Sequence, residues 1–218
     1  MPNFLRSSSL TGFNSFNERD VPARDYLVTI PPRALAVSLE DFKDFIKITN
    51  SNQDEELKLI LRAVIRYGEQ WTKRDFITRT YECFLTDFPG TVGNIELRKS
   101  RLQSVVSVEY LVDSILTTVA TSVFYNTTQI DYSVIAVFDG QQWPSNADRR
   151  LQAVKITFTA GFGARDSFVP EDIRSAILQH GKAIYELGLG CDEGECAGVL
   201  PKSARMIYNS NKILDIVV

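Results

Sequence analysis

The chain contains 218 residues, of which 44% are hydrophobic and 23% are charged, and its formal net charge is −3. This composition predicts a globular protein with one sizeable core or two small ones. It excludes the dense basic surface of a protein that grips nucleic acid, so any contact with DNA should be loose.

Cysteine usage and hydropathy bear on the compartment. Three cysteines, Cys83, Cys191 and Cys196, cannot make a disulfide framework, and an odd number is more typical of a reducing compartment. The first residues lack a basic segment followed by an apolar one, and no window is apolar over the length of a bilayer. We therefore expect folding in a cytoplasm, with neither a signal peptide nor a membrane span.

Residues 1–33 are rich in serine, asparagine and proline, with phenylalanines scattered among them. Two interpretations are open: a disordered tail, or an N-terminal arm that becomes ordered only against a partner. Pro31 and Pro32 are expected to end this arm.

Two helices are predicted next, within residues 38–73. Ser38 is a suitable N-cap with Asp41 three residues later, and Asp54 opens a longer helix with an acidic first turn. Apolar residues recur at helical spacing, so the two helices should form a hairpin. Trp71, near the end of the second helix, is expected to anchor the core.

From residue 78 the apolar pattern changes to a period of two, which is typical of strands. Strands are predicted over residues 78–88, 95–98, 102–112, 122–126, 130–138 and 154–162. Strands without intervening helices favour antiparallel pairing, so this β-module, residues 78–162, should be a small sandwich or a curled sheet. The strand at 130–138 is apolar on both parities, which indicates either a central strand or one that neighbours cover on both sides.

Alternation along three of these strands predicts which side chains are buried. The predicted core residues are Tyr81, Cys83 and Leu85 in the first strand, Val106, Val108, Tyr110 and Val112 in the third, and Val154, Ile156, Phe158 and Phe162 in the last.

A third long helix is predicted over residues 170–188, because Pro170 suits a first helical position and acidic residues follow it. A short helix around residues 203–208 comes next. The buried stripe of the long helix should consist of Ile173, Ala176, Ile177, Ile184 and Leu187. The expected fold class is α+β: a helical core, made of the hairpin and the third long helix, with an antiparallel β-rich insertion.

The C-terminal segment, residues 211–218, ends in an apolar stretch where a polar tail is commoner. Residues 34–210 would therefore form the main domain, and the tail needs a surface to cover it. Its apolar residues are Ile213, Leu214, Ile216, Val217 and Val218.

No residue pattern predicts catalysis, and neither a metal nor a cofactor is expected. The single histidine, His180, lies near an apolar helix stripe without a serine or cysteine motif to activate, which favours a structural or interface role. A zinc site would have to draw on Cys191, Cys196 and either His180 or Asp192, and this spacing is a weak pattern.

Two alternatives to a structural protein stay open. One is a metal-dependent enzyme that uses Cys191, Cys196 and His180. The other is a β-sandwich binding module that recognises a carbohydrate or a peptide through Trp143, Phe124, Tyr125 and Tyr132.

Four pieces of the chain, in order, carry a resemblance to a known family. They are SLEDFKDFIKI followed by DEELKLILRAVIRYGEQWTKRDFITRTYECFL; IELRKSRLQSVVSVEYL; VKITFTAGFG; and VPEDIRSAILQHGKAIYEL. In combination and spacing, over residues 34–190, they resemble the head–tail connector (adaptor) proteins of tailed bacteriophages, including the gp6-like connectors.

The resemblance implies a structural virion protein that is not an enzyme. Such proteins form a homo-oligomeric ring, expected here to be a dodecamer, between the portal protein and the tail. The ring would extend the DNA channel, touch double-stranded DNA only transiently and non-specifically, and provide the platform for tail or neck proteins.

The resemblance also implies a role for the apolar C-terminal segment, which would insert into the portal. The protein would be made in the cytoplasm of a host bacterium and be located in the neck of the virion, without a membrane partner. The acidic balance agrees with this role, because each phosphate neutralised by lysine or arginine would add affinity that retards DNA.

Overall fold

The computed structural model describes residues 25–99, 101–128, 133–187 and 200–213. Within these ranges the helices are α1 (Leu39–Ile46), α2 (Asp54–Thr72), α3 (Glu171–Leu187) and α4 (Lys202–Ser210), with a 3-10 turn at Asp166–Phe168. The strands are β1 (Asp25–Ile30), β2 (Arg79–Leu85), β3 (Ile95–Leu97), β4 (Leu102–Val112), β5 (Ile115–Thr118), β6 (Phe124–Thr128), β7 (Ser133–Val137) and β8 (Val154–Ala160). The predicted α+β class is confirmed.

The described strands form two antiparallel sheets, as their sequence order predicted. The larger sheet has the order β1-β2-β8-β4-β5, and the smaller has the order β3-β7-β6 with β7 in the centre. Both sheets contribute to one hydrophobic core, and every second residue of β2 and β8 is buried in it. The buried residues of these two strands are Tyr81, Cys83, Leu85, Val154, Ile156, Phe158 and Ala160.

The helices build a second core beside the sheets. Ser38 caps α1 as predicted, since its Oγ accepts a hydrogen bond from the Asp41 N–H at 3.0 Å. Apolar side chains of α1, α2 and α3 then pack together around Phe42, which is fully buried. A Cβ at Gly181 in α3 would lie 2.9 Å from the Phe42 ring. This close approach explains a glycine inside a helix, where it costs roughly 1 kcal/mol relative to alanine.

The predicted buried face of β4 is wrong at Val106, which is 60% exposed. Two irregularities in the pairing of β4 with β8, between Leu102 and Ser104 and between Val105 and Ser107, are the reason. Each extra residue shifts the alternation of side chains by one position, so Val105 packs against the core instead.

The predicted stripe of α3 is wrong at Leu187, which is 56% exposed, whereas His180 and Gly181 are buried. The reason is that α3 packs against both α2 and α4. A helix that is covered from two sides buries a wider sector than a single stripe.

Two edge strands were not predicted. Residues 25–30, which the sequence predicts as part of the N-terminal arm, form β1. This strand pairs with β2, and Tyr26 packs against the core of the sheets. The strand β5 pairs only with the end of β4. Edge strands have one exposed side, so their apolar residues do not alternate cleanly. The exposed apolar side chains are Leu27, Val28, Ile30, Ile115 and Leu116.

Among the described residues, none of the helices combines the length and the apolar character that a membrane span would need.

Candidate functional site

A cluster of charged side chains joins the C-terminal end of α2 to β2. Arg79 donates from Nη1 to Asp75 Oδ1 at 2.9 Å and from Nη2 to Glu69 Oε2 at 2.5 Å. The Tyr81 hydroxyl donates to Asp75 Oδ2 at 2.7 Å, and the backbone N–H of Phe76 donates to Glu69 Oε1 at 3.0 Å. The cluster therefore fixes the orientation of the helices relative to the larger sheet.

The environment of this cluster shifts the pKa values of its members. Burial raises the pKa of the Glu69 carboxyl, against the opposing effect of Arg79. Burial alone would lower the pKa of Arg79, but the neighbouring carboxylates of Glu69 and Asp75 outweigh it and raise that pKa above its ordinary value. Because the single guanidinium of Arg79 binds both carboxylates of the cluster, we interpret the cluster as a structural joint.

The start of the C-terminal segment is held at the end of α2. The Trp71 Nε1–H donates to Asn209 Oδ1 of α4 at 2.8 Å, and Arg74 Nε donates to the Asn211 carbonyl at 2.6 Å. The Ile213 N–H then donates to the Thr72 carbonyl at 3.0 Å. The point from which the chain continues beyond residue 213 is thus fixed by contacts along α2.

The predicted tail residues can be compared with the structure only at Ile213. Leu214, Ile216, Val217 and Val218 lie outside the described residues. Their portal-anchoring role stays a prediction.

His180 lies between α2 and α4. Its imidazole makes edge-on contacts with Tyr67, at 5.1 Å between ring centroids, and with Tyr208, at 6.2 Å. Burial lowers its pKa to about 4, and its Nδ1 has no hydrogen-bond partner among the described residues. These surroundings hold the imidazole neutral and packed, in agreement with the expected structural role.

Of the residues named for a metal site, only His180 lies in the part of the chain that the structure describes. Within it, no group of three or more histidine, cysteine, aspartate or glutamate side chains is arranged to hold a metal ion. Cys191, Cys196 and Asp192 lie outside the described residues.

The aromatic residues proposed for ligand binding do not form one platform. Trp143 is 2% exposed, stacks on Phe88 with 5.1 Å between ring centroids, and donates its Nε1–H to the Gly93 carbonyl at 2.7 Å. Phe124 is also buried in the core of the sheets, whereas Tyr125 lies on the surface. Tyr132 lies outside the described residues. Trp143 and Phe124 thus serve packing and are not available to a ligand at the surface, which weakens the binding-module alternative.

The turn between β4 and β5 presents an edge of the larger sheet. Asp113 and Ser114 both have positive φ, 48° and 67°, and their N–H groups donate to the Asp148 carboxylate at 3.1 and 3.0 Å. Ile115 and Leu151 nearby in sequence are 69% and 79% exposed. A braced turn next to exposed apolar residues is a candidate contact surface.

The described residues thus define an α+β scaffold in which side chains are arranged for packing and surface contact. The sequence does not predict the roles of Arg74 and Asp148. Their side chains bind backbone groups of residues that are far away in sequence, so no local pattern marks them.

Chains of the same fold occur in solved structures of gene transfer agent (GTA) particles. A chain in the neck of an empty GTA particle computed with C6 symmetry matches 89% of this chain and 97% of its own length, with 22% identity and a TM-score of 0.71. A chain in the virion of a native GTA particle matches 88% and 97%, with 21% identity and a TM-score of 0.69. The neck of a native GTA particle computed with C12 symmetry contains one that matches 89% and 97%, with 22% identity and a TM-score of 0.66.

These matches establish a shared fold over nearly the whole length of both chains. No protein-family model and no curated protein matches the sequence. Membership of the gp6-like connectors therefore stays a prediction.

Proposed function

We propose that this protein is a structural component of the neck of a phage-like virion. The observation that carries the proposal is the fold shared with chains of GTA necks, with a TM-score of 0.71 and coverage of 89% of this chain. The order of the four segments that resemble head–tail connectors supports the same role independently. In this role the protein is not an enzyme.

In the proposed assembly, copies of the chain form a ring between the portal protein and the tail, expected to be a dodecamer. The C6 and C12 symmetries of the two GTA neck structures support a ring with an even number of copies. The ring continues the DNA channel, offers a platform to tail or neck proteins, and makes only transient, non-specific contact with double-stranded DNA.

The C-terminal segment attaches the ring to the portal in this proposal. Its starting point is held at Thr72 and Arg74, so the apolar residues after Ile213 begin from a fixed position on each copy. Extended apolar residues can add to a sheet edge or fill a groove of the portal, which combines main-chain hydrogen bonds with burial.

The test is direct binding. The purified full chain is mixed with the portal protein of the same virus, and the mixture is analysed by sedimentation velocity and electron microscopy. We expect a ring-shaped density attached to one end of the portal. If the two proteins form no complex even at saturating concentrations, the proposal is contradicted. Saturable binding of a carbohydrate or a peptide by single copies would favour the binding-module alternative.

A further inference from the structure

Two helices carry exposed pairs of like charge, and the pairs have opposite sign. Arg62 and Arg66 are both exposed on α2, and Glu40 and Asp44 are both exposed on α1. Within each pair the residues are four positions apart, so both lie on the same side of the helix about 6 Å from each other. None of the four side chains forms an ion pair or a hydrogen bond with another described residue.

The arginine pair borders a groove with an apolar floor. The groove has a volume of about 380 Å³ and lies between α2 and the segment before α1. Its other charged residues, Glu69 and Arg79, form an ion pair, and Arg79 also pairs with the buried Asp75, so the ionic cluster sets one net negative charge against the two arginines. The groove is therefore positive at its rim and apolar inside, where it is lined by Pro32, Ala34, Leu35, Ile65 and Ile77.

The acidic pair borders a different groove, of about 490 Å³. Its one lysine, Lys43, is neutralised by Asp54 at 2.7 Å, so Glu40 and Asp44 leave this surface negative. Leu39 and Ile48 supply apolar surface beside them. The two pairs have the same spacing, four residues along a helix, and opposite charge, so the acidic face is the electrostatic complement of the basic groove.

Like charges four residues apart destabilise a helix slightly, and opposite charges on a partner relieve that repulsion. A ring needs a heterologous contact, in which one patch of each copy binds a different patch of the next. We infer that the basic groove of one copy receives the acidic α1 face of the neighbouring copy. This inference rests on the proposed function, because it names the contact that closes the proposed ring.

Charge reversal tests the inference with two variants of the full chain. The first carries Arg62→Glu and Arg66→Glu, and the second carries Glu40→Arg and Asp44→Arg. Each variant alone brings like charges together at every contact, so its self-association should weaken by about tenfold or more. An equimolar mixture of the two should associate again, because each reversed patch meets its complement when the variants alternate around a ring.

A single chain with all four reversals should also self-associate, because both patches are exchanged. The matched control is Lys202→Glu with Arg205→Glu, which reverses two exposed charges on α4 and should leave association unchanged. Association is measured by sedimentation velocity over a concentration series at low ionic strength. Circular dichroism and urea unfolding verify that every variant is folded.

The outcomes separate this inference from the proposed function. If both reversal variants associate as well as the wild type does, the inference is overturned and the proposed function is not. The same holds if the reversals abolish association but neither the mixture nor the fourfold variant restores it. A wild-type chain that stays a single copy at all concentrations, with and without the portal, would overturn both. Reversal variants that still bind the portal but no longer associate with one another would support the inference and leave the neck assignment intact.

Discussion

His180 is the only histidine of the chain, and burial against Tyr67 and Tyr208 lowers the pKa of its imidazole to about 4. An unfolded chain has a histidine pKa of about 6.5. Between these values the unfolded state binds a proton that the folded state excludes. Stability is therefore lost as the pH falls from about 6.5 toward 4.

Replacement of this residue by phenylalanine, His180→Phe, should remove that part of the acid sensitivity. The phenylalanine ring retains the aromatic packing. The substitution also breaks no hydrogen bond of Nδ1, because this atom has no partner among the described residues. Between pH 7.5 and 5.5 the free energy of unfolding of the wild type should fall by about 1 kcal/mol more than that of the variant. Urea unfolding at both pH values measures this difference, and parallel losses in the two proteins would contradict it.

Arg79 is the residue on which the ionic cluster depends. In Arg79→Met the carboxylates of Glu69 and Asp75 lose their only cationic partner among the described residues while they stay largely buried, so the free energy of unfolding should fall by about 2–4 kcal/mol. Lys58→Met is the control, because it breaks the exposed pair of Lys58 with Glu55 and should leave the free energy of unfolding close to that of the wild type. Urea unfolding measures both variants. Similar losses of stability would show that the cluster stabilises the fold no more than an exposed ion pair does.

At the scale of elements, the short turn between β4 and β5 depends on a contact with a distant loop. The turn between β4 and β5 places Ser114 at φ 67°, a left-handed conformation that glycine adopts more easily than serine. The Asp148 carboxylate compensates by accepting hydrogen bonds from both turn N–H groups. A distant loop thus stabilises a local conformation that the turn sequence itself disfavours.

We therefore expect Ser114→Gly to stabilise the protein by about 0.5–1 kcal/mol. Thr118→Gly, within the regular pairing of β5 with β4 and outside the left-handed region, is the control and should destabilise by a similar amount, because glycine is unfavourable inside a strand. Thermal unfolding of the two variants beside the wild type measures both effects. A loss of stability in Ser114→Gly would mean that the serine side chain has a role beyond the turn.

At the scale of the whole molecule, the proposed attachment to the portal should depend on residues beyond Ile213. Deletion of residues 214–218 leaves α4 and its contacts with Trp71 and Arg74 in place, so the truncated chain should fold with unchanged stability. It should lose stable attachment to the portal in sedimentation experiments. Substitution of Leu214 and Ile216 by aspartate tests the same surface without shortening the chain, and undiminished attachment of both variants would contradict the anchoring role.

A net charge of −3 should also limit binding of the whole molecule to DNA. Non-specific affinity depends on phosphates neutralised by lysine and arginine, so the dissociation constant for duplex DNA should exceed about 100 µM at an ionic strength of about 0.15 M. Fluorescence anisotropy with a labelled duplex measures it. Micromolar binding at this salt concentration would contradict the proposal that the ring makes only transient, non-specific contact with DNA.

Much of the fold could be predicted because it depends on neighbours along the chain. Ser38 and the acidic turn at Asp54 mark the helix starts that the structure shows, and alternation locates β2, β4 and β8. Packing of an amphipathic element requires a periodic sequence, so the class α+β and the antiparallel module were determined by sequence alone. The candidate site was determined less well, since only Ile213 of its predicted residues is described.

Only the tertiary structure decided the rest, because the responsible interactions join distant residues. The register of β4 on β8 turned Val106 outward, and pairing with β2 made residues 25–30 a strand. The arrangement of the helices likewise determines the packing of Phe42 against Gly181. It also places Arg62 and Glu40 on separate grooves. A sequence specifies which side of an element is apolar, but only the assembled fold determines which surfaces remain for other molecules.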